Sequence, residues 1–208
     1  MVVRLTRIER KTRTRAELLA AARAVFLLRG FHGASVDEIA EQAGYTKGAV
    51  YSHFADKDAL FLALLEEHYG RRVEAYTEIM LDGESLDETY RAISSFMAEA
   101  DAREPDWLPL LAEFTAHAAR REELRRAYVE VRRHFLEAIA NLIETVAARH
   151  GAALRVTPLE AARASSILAR GFSADRRLDP ETLPASMFVE LNTALMHGLT
   201  VRDEGNHR

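Results

Sequence analysis

The sequence predicts an all-α protein. Apolar residues recur at spacings of three, four and seven along most of the chain, and no segment alternates polar and apolar residues for long. Helix-starting signals, an Ser, Thr or Asp ahead of an apolar run, recur from one end to the other. At 208 residues the chain forms one large or two small domains and can bury a sizeable core.

Residues 1–15 read as a basic arm, with Arg4, Arg7, Arg10, Lys11, Arg13 and Arg15 against Glu9 alone. A first helix follows to about Gly30, with Leu18, Ala22, Val25 and Phe26 on its inner face. Ser35 and Glu38 form an S-x-x-E capping box ahead of Val36, Ile39, Ala40 and Ala43 at helical spacing. Gly44 stands where a sharply ending helix needs a residue tolerant of positive φ. Thr46 caps a second helix whose apolar face is Val50 and Phe54. Ala40, Gly44 and Val50 have the spacing of a helix-turn-helix: a small residue where two helices nearly touch, a glycine in the turn, an aliphatic side chain beneath the second helix. That unit serves mainly to push a helix into a DNA major groove.

A helix capped by Asp56 then carries Leu60, Phe61, Leu64 and Leu65 and continues past Tyr69, linking two parts of the molecule. Ser85 and Glu88 make a second capping box for a helix ending near Ala100. Pro105 precedes a helix with Leu110, Leu111, Phe114 and Ala118. A long helix from about Glu122 to His150 is stopped by Gly151. Thr157, Pro158 and Glu160 are N-cap, N1 and N3 of the next. Asp179 and Pro180 open the last, which runs to about Gly198, and the terminal V-R-D-E-G-N-H-R is expected to fray.

The stretch from Ser35 to Leu60 closely resembles the DNA-binding unit of the TetR-type transcriptional regulators. The matching residues are V-x-x-I-A-x-x-A-G from Val36 to Gly44, Thr46, Gly48, V-Y-x-H-F from Val50 to Phe54 and K-x-x-L from Lys57 to Leu60, preceded by the aliphatic helix from Ala16 to Phe31. The resemblance covers roughly the first third of the chain; beyond it only length and helical character match. It implies that Thr46, Gly48, Tyr51, His53 and Lys57 contact DNA bases or backbone, and that the last two helices pair across a twofold axis into a four-helix bundle. It further implies that an effector bound in the body tilts the linking helix.

The charge distribution fits. Residues 1–57 carry ten Lys/Arg against six Asp/Glu, and the remainder eighteen against twenty-six, so a basic module is attached to an acidic body. There is no cysteine, hence no disulfide framework or thiolate metal site. The N-terminal residues lack the apolar core of a signal peptide and charges interrupt every apolar run, which points to a cytoplasmic protein.

The expected DNA-binding residues are Arg13, Ser35, Thr46, Lys47, Gly48, Tyr51, His53 and Lys57. Lys47 has the reach to donate to a guanine edge or a phosphate. Gly48 removes a side chain so that backbone and DNA can approach, and Lys57 faces a phosphate because a cation at a helix start is disfavoured by the helix dipole. Phe96, Met97, Trp107, Phe114, His117, Tyr128 and Phe135 are candidates to line an effector pocket, with core packing the alternative. Glu113 and His117 have metal-ligand spacing, but two residues are too few for a site. Ile167, Leu168, Phe188, Leu191, Leu195 and Met196 are candidates for a homodimer interface. The sequence reading is a DNA-binding domain over residues 1–57 and a helical effector-binding and dimerisation domain over 58–208. Together they make a homodimeric regulator without cofactor or metal, a repressor released from a palindromic operator by a small molecule. A small helical enzyme with a nucleic-acid-targeting unit, or a ligand-independent DNA-binding scaffold, are the alternatives. No nucleophile–base pair, metal set or phosphate loop in the sequence supports an enzyme.

Overall fold

A computed structural model describes residues 6–202. In chain order it holds α1 (Arg7–Gly33), α2 (Val36–Gln42), α3 (Lys47–Tyr51), α4 (Lys57–Asp82), α5 (Leu86–Arg103), α6 (Trp107–Ala118), α7 (Glu122–Arg149), β1 (Ala152–Leu154), α8 (Pro158–Leu178), α9 (Ala185–Gly198) and β2 (Thr200–Arg202). The all-α reading holds, with one small addition. The two three-residue strands pair antiparallel, Ala153 opposite Val201, so Val201 and Arg202 do not fray. Residues 203–208, also expected to fray, and Arg4 of the basic arm lie outside the described residues.

The predicted caps form as read. The hydroxyls of Ser35, Thr46 and Thr157 accept from the amides of Glu38, Ala49 and Glu160, each satisfying an orphan donor of a helix start. At Ser85 the box opens differently: its hydroxyl accepts from the Glu88 amide, but the Glu88 carboxylate accepts from Glu84 N–H. Gly44 has φ +72°. Its N–H donates to Glu41 O and that of Tyr45 to Ala40 O, the paired bonds of a Schellman ending, which turn the chain from α2 toward α3.

Two elements differ from the sequence reading. The basic arm is helical from Arg7, because Thr6 and Glu9 form a capping box of their own and nothing between Arg7 and Arg15 breaks a helix. The last helix starts not at Asp179–Pro180 but at Ala185: Asp179 caps the end of α8, its carboxylate accepts from Thr182, and the residue before Pro184 is steered away from helical backbone.

The chain divides into two compact units. The first takes in the described residues up to His68 together with Pro109–Val131. The second takes in Tyr69–Leu108 and the described residues from Arg132 on. The boundaries fall inside α4, α6 and α7, so each of these helices contributes to both.

The core of the first unit is aromatic. Phe26, Phe31, Phe61 and Phe114 are fully buried or nearly so, with Phe61 stacked on Phe114 at 4.2 Å and Phe31 edge-on to both at 5.3 and 5.1 Å. Such geometries suit the ring quadrupoles and add to the burial of area. The core of the second unit is Tyr76, Met80, Tyr90, Leu136, Ala140, Ile143, Val146, Ala161, Ala162 and Met196. A buried polar chain ties its helices together: Asn192 on α9 donates to Ser94 on α5 at 2.9 Å, Ser94 donates to Tyr90 O, and Ser165 on α8 donates to Asn192 at 2.8 Å. With every member paired, burying these groups costs little and fixes which helix faces which.

Candidate nucleic-acid interface

The turn and second helix of the helix-turn-helix present one polar, open face. Val50 and Phe54 are buried beneath α3, while Thr46, Lys47 and Gly48 are exposed and Tyr51 keeps 47% of its surface in solvent. A side-chain carbon on Gly48 would meet nothing closer than Thr46 Oγ1 at 3.8 Å, so the bare backbone there is not demanded by packing. Lys47 Nζ rests 2.8 Å from Asp37 Oδ2 on α2, and that carboxylate holds the lysine's pKa above its ordinary value. Both groups are exposed, so water screens the pair and the lysine can leave it for another acceptor.

The helical basic segment lies beside this face. Tyr45, in the turn between α2 and α3, has its hydroxyl 3.2 Å from Thr14 Oγ1 and donates it to Glu17, which fixes α1 against the turn. The Arg15 guanidinium lies 4.8 Å from the Phe54 ring centre, and Arg13, exposed, reaches toward Glu17 at 3.7 Å. Partial burial, then the charges of Lys11 and Arg15, push the His53 imidazole below its usual pKa. Arg13, Lys47, Gly48, Tyr51 and His53 therefore belong to one region of the first unit, with cations of α1 flanking α3.

Two expected DNA contacts have other tasks. The Ser35 hydroxyl is committed to Glu38, accepting from its amide and donating to its carboxylate at 3.0 Å. Lys57 is not an open cation: its ammonium donates to Phe31 O at 2.9 Å and Ala34 O at 3.0 Å, and lies 4.7 Å from the Phe31 ring centre. The dipole argument held for its own helix, but the side chain reaches the carbonyl end of α1, where a cation is favoured. Lys57→Ala is expected to lower stability by about 1.5–3 kcal/mol, the range for hydrogen bonds to a charged group. A urea midpoint shifted by the equivalent of less than about 0.5 kcal/mol would mean that water replaces the ammonium at those carbonyls.

Sequence reading missed the supports of this unit. Gly30, inside α1 as a kink, has φ +72°. Beyond it the Glu113 carboxylate of α6 accepts from the Phe31 amide at 2.9 Å and the His32 amide at 3.4 Å, and would meet any side chain placed on Gly30 at 2.7 Å. Asp58, in the first turn of α4, accepts from His117 at 3.1 Å and from Arg121. Glu113 and His117 are thus engaged separately, and among the described residues no group of three His, Asp or Glu could hold a metal.

The expected effector-lining residues separate. Phe114 is 0% exposed in the aromatic core of the first unit, a correction to its place as a pocket wall, and His117 of the same unit is turned to Asp58. Tyr128, also in the first unit, is buried and its hydroxyl has no hydrogen-bond partner among the described residues. Phe96, Met97, Trp107 and Phe135 belong to the second unit. Trp107 is buried there, while Phe96, Met97 and Phe135 are half-buried around its core, Phe135 stacked on Tyr69 at 4.3 Å. The interface candidates separate too. Phe188 and Met196 are buried within their own chain, which corrects them; Leu168 and Leu195 are half-buried, and Ile167 and Leu191 keep 62% and 43% of their surface exposed.

This arrangement, a short helix with an open polar face set by a glycine turn and flanked by a basic helix, defines a helix-turn-helix protein. Residues 18–64 match the family model described as bacterial regulatory proteins, tetR family. The transcriptional activator FasR of Mycolicibacterium smegmatis is 43% identical over 77 residues, which are 37% of this chain and 33% of that protein. The transcriptional repressor AcnR of Corynebacterium diphtheriae is 31% identical over 130 residues, 62% of this chain and 63% of AcnR. The chain therefore spans between a third and somewhat under two thirds of the length of these curated relatives. A TetR-family regulator structure from Mesorhizobium loti superimposes with a TM-score of 0.72 at 22% identity, covering 94% of this chain and 97% of the other. The likeness to the tetR family is thus carried by residues 18–64, and the solved structure adds likeness of fold.

Proposed function

We propose that the protein is a homodimeric, sequence-specific DNA-binding transcriptional regulator of the cytoplasm, a repressor released from a palindromic operator by a small-molecule effector. The observation that carries this reading is the open α3 face, with Lys47, Gly48 and Tyr51 exposed beside the cations of α1. In a dimer two such helices read half-sites about 34–36 Å apart or a multiple of it, and a few ångströms of misfit prevents both from engaging. Among the described residues no helix is long and apolar enough to cross a membrane.

Selection from a random pool of duplexes is expected to enrich an inverted repeat. Its log affinity should fall linearly with log salt, each neutralised phosphate adding about −0.9 to the slope. Failure to enrich any inverted repeat would remove the reading. Lys47→Ala should change the preferred bases if Lys47 leaves Asp37 for a base edge.

Dimerisation is supported by the large apolar side chains that α8 and α9 leave in water, Ile167 and Leu191. Leu191→Arg is expected to give monomers with unchanged helical content that no longer bind operator. Sedimentation of wild-type protein as a monomer at micromolar concentration would overturn this.

An effector would be apolar or amphipathic, held by Phe96, Met97 and Phe135, which the second unit leaves half-buried. Tyr128 supports a polar group on some ligand of the first unit, since an unpaired buried hydroxyl costs about 1–3 kcal/mol that a partner would recover. Effector and operator must weaken each other's binding by one factor, roughly 5–150-fold for the usual coupling of about 1–3 kcal/mol. Trp107 fluorescence during titration, with and without operator, measures it; equal affinities would make the compound a passenger.

A further inference from the structure

The first unit carries a cavity of about 230 Å³ lined by His32, Ala116, His117, Arg120 and Arg121. Its lining residues include two arginines and two histidines and no acidic residue, and the surface they turn to it is mostly apolar. His32 stands at the kinked end of α1, and its ring lies edge-on to that of His117 at 5.5 Å between centres. Arg120 and Arg121 come from the turn joining α6 to α7.

The neighbouring acids are turned to other partners. Glu113 accepts from the Phe31 and His32 amides. Glu122 is held by Arg125 and Arg126. Asp58 is the acceptor for both His117 and Arg121. Arg120 is exposed and has no ion-pair partner among the described residues. One carboxylate thus answers for two of the cavity's basic side chains, and Arg120 remains uncompensated.

We propose that this cavity is a binding site for a compact oxyanion carrying two negative charges, a phosphate group or a short dicarboxylate. Arg120 supplies the planar fork of donors that matches such an anion in bidentate fashion. His32 adds a donor from the α1 side. Arg121 is shared between the ligand and Asp58, so the anion and the Asp58 carboxylate compete for it. Asp58 belongs to the first turn of α4, and occupancy of the cavity therefore weakens the tie between the α6–α7 turn and the start of that helix. The site is separate from the effector pocket proposed in the second unit, and its existence does not require that the chain bind DNA.

Isothermal titration of the full chain without DNA, using inorganic phosphate in one arm and succinate in the other, tests the site. Sodium chloride at matched ionic strength is the control. Saturable binding at one equivalent per chain is expected in at least one arm, and the arm that binds identifies the source of the oxyanion. Arg120→Ala should weaken it at least tenfold, and Asp58→Asn should strengthen it severalfold by releasing Arg121 and His117. Because the Arg120 side chain supports nothing else among the described residues, its variant keeps the wild-type fold, which circular dichroism checks. Heats no larger than those of chloride, or saturable binding that Arg120→Ala leaves unchanged, would overturn the proposal.

Discussion

Phe114→Ala is expected to destabilise the protein by about 3–5 kcal/mol, the range for removing a buried aromatic ring. The ring is 0% exposed, stacked at 4.2 Å on Phe61 and edge-on at 5.1 Å to Phe31, so the substitution leaves a void bounded by side chains that cannot all close in. Against the usual total of about 5–15 kcal/mol the loss is large. It should appear as a lower urea midpoint with an unchanged slope if the folded and unfolded states keep their compactness. A loss below about 1 kcal/mol would mean that the ring borders space rather than packed atoms, and would return Phe114 to the wall of a ligand pocket. The position matters beyond stability. Phe114 is one residue beyond Glu113, whose carboxylate holds the Phe31 and His32 amides, so the same turn of α6 supplies both core and polar support to the helices that carry α3.

What the sequence made legible was mostly local. Ser35, Thr46 and Thr157 could be read as caps because the amide each one satisfies lies three residues away. Gly44 could be read as a turn because the helical pattern stops there and only glycine adopts φ +72° without strain. The Thr6–Glu9 box has the same local signature, whereas the density of arginine after it suggests an arm; the box prevails and the first two turns of α1 are helical. At the other end Asp179–Pro180 is a sound helix start by itself; Pro184, four residues on, competes with it and wins.

The long-range partners had no such signal. Glu113 and Phe31 are 82 residues apart and Asn192 and Ser94 are 98 apart, and nothing in either local pattern names the other. Lys57 shows the consequence. Its place at a helix start suggested a phosphate partner, whereas its acceptors are carbonyls 23 and 26 residues earlier. The α3 face was legible for the opposite reason. Its residues are defined by what they leave uncovered, and the spacing of Val50 and Phe54 alone decides which side that is.

Gly48→Leu separates the demands of the fold from those of DNA. In the free protein the position is exposed, lies in α3, and offers a new side-chain carbon no neighbour nearer than 3.8 Å. Glycine is the costlier residue in a helix, so the leucine variant should fold as well as the wild type or gain up to about 0.8 kcal/mol. If α3 enters a major groove with Gly48 against the DNA, the same substitution inserts four carbons where backbone and nucleic acid meet. Operator affinity should then fall about 100-fold or more, ~2.8 kcal/mol. Thermal melting and operator titration on one preparation give both numbers. A variant that melts at the wild-type temperature or above and does not bind assigns the glycine to DNA approach. A variant that binds operator as the wild type does would show that this face of α3 stands clear of the groove, and the reading of its neighbours Lys47 and Tyr51 would fall with it.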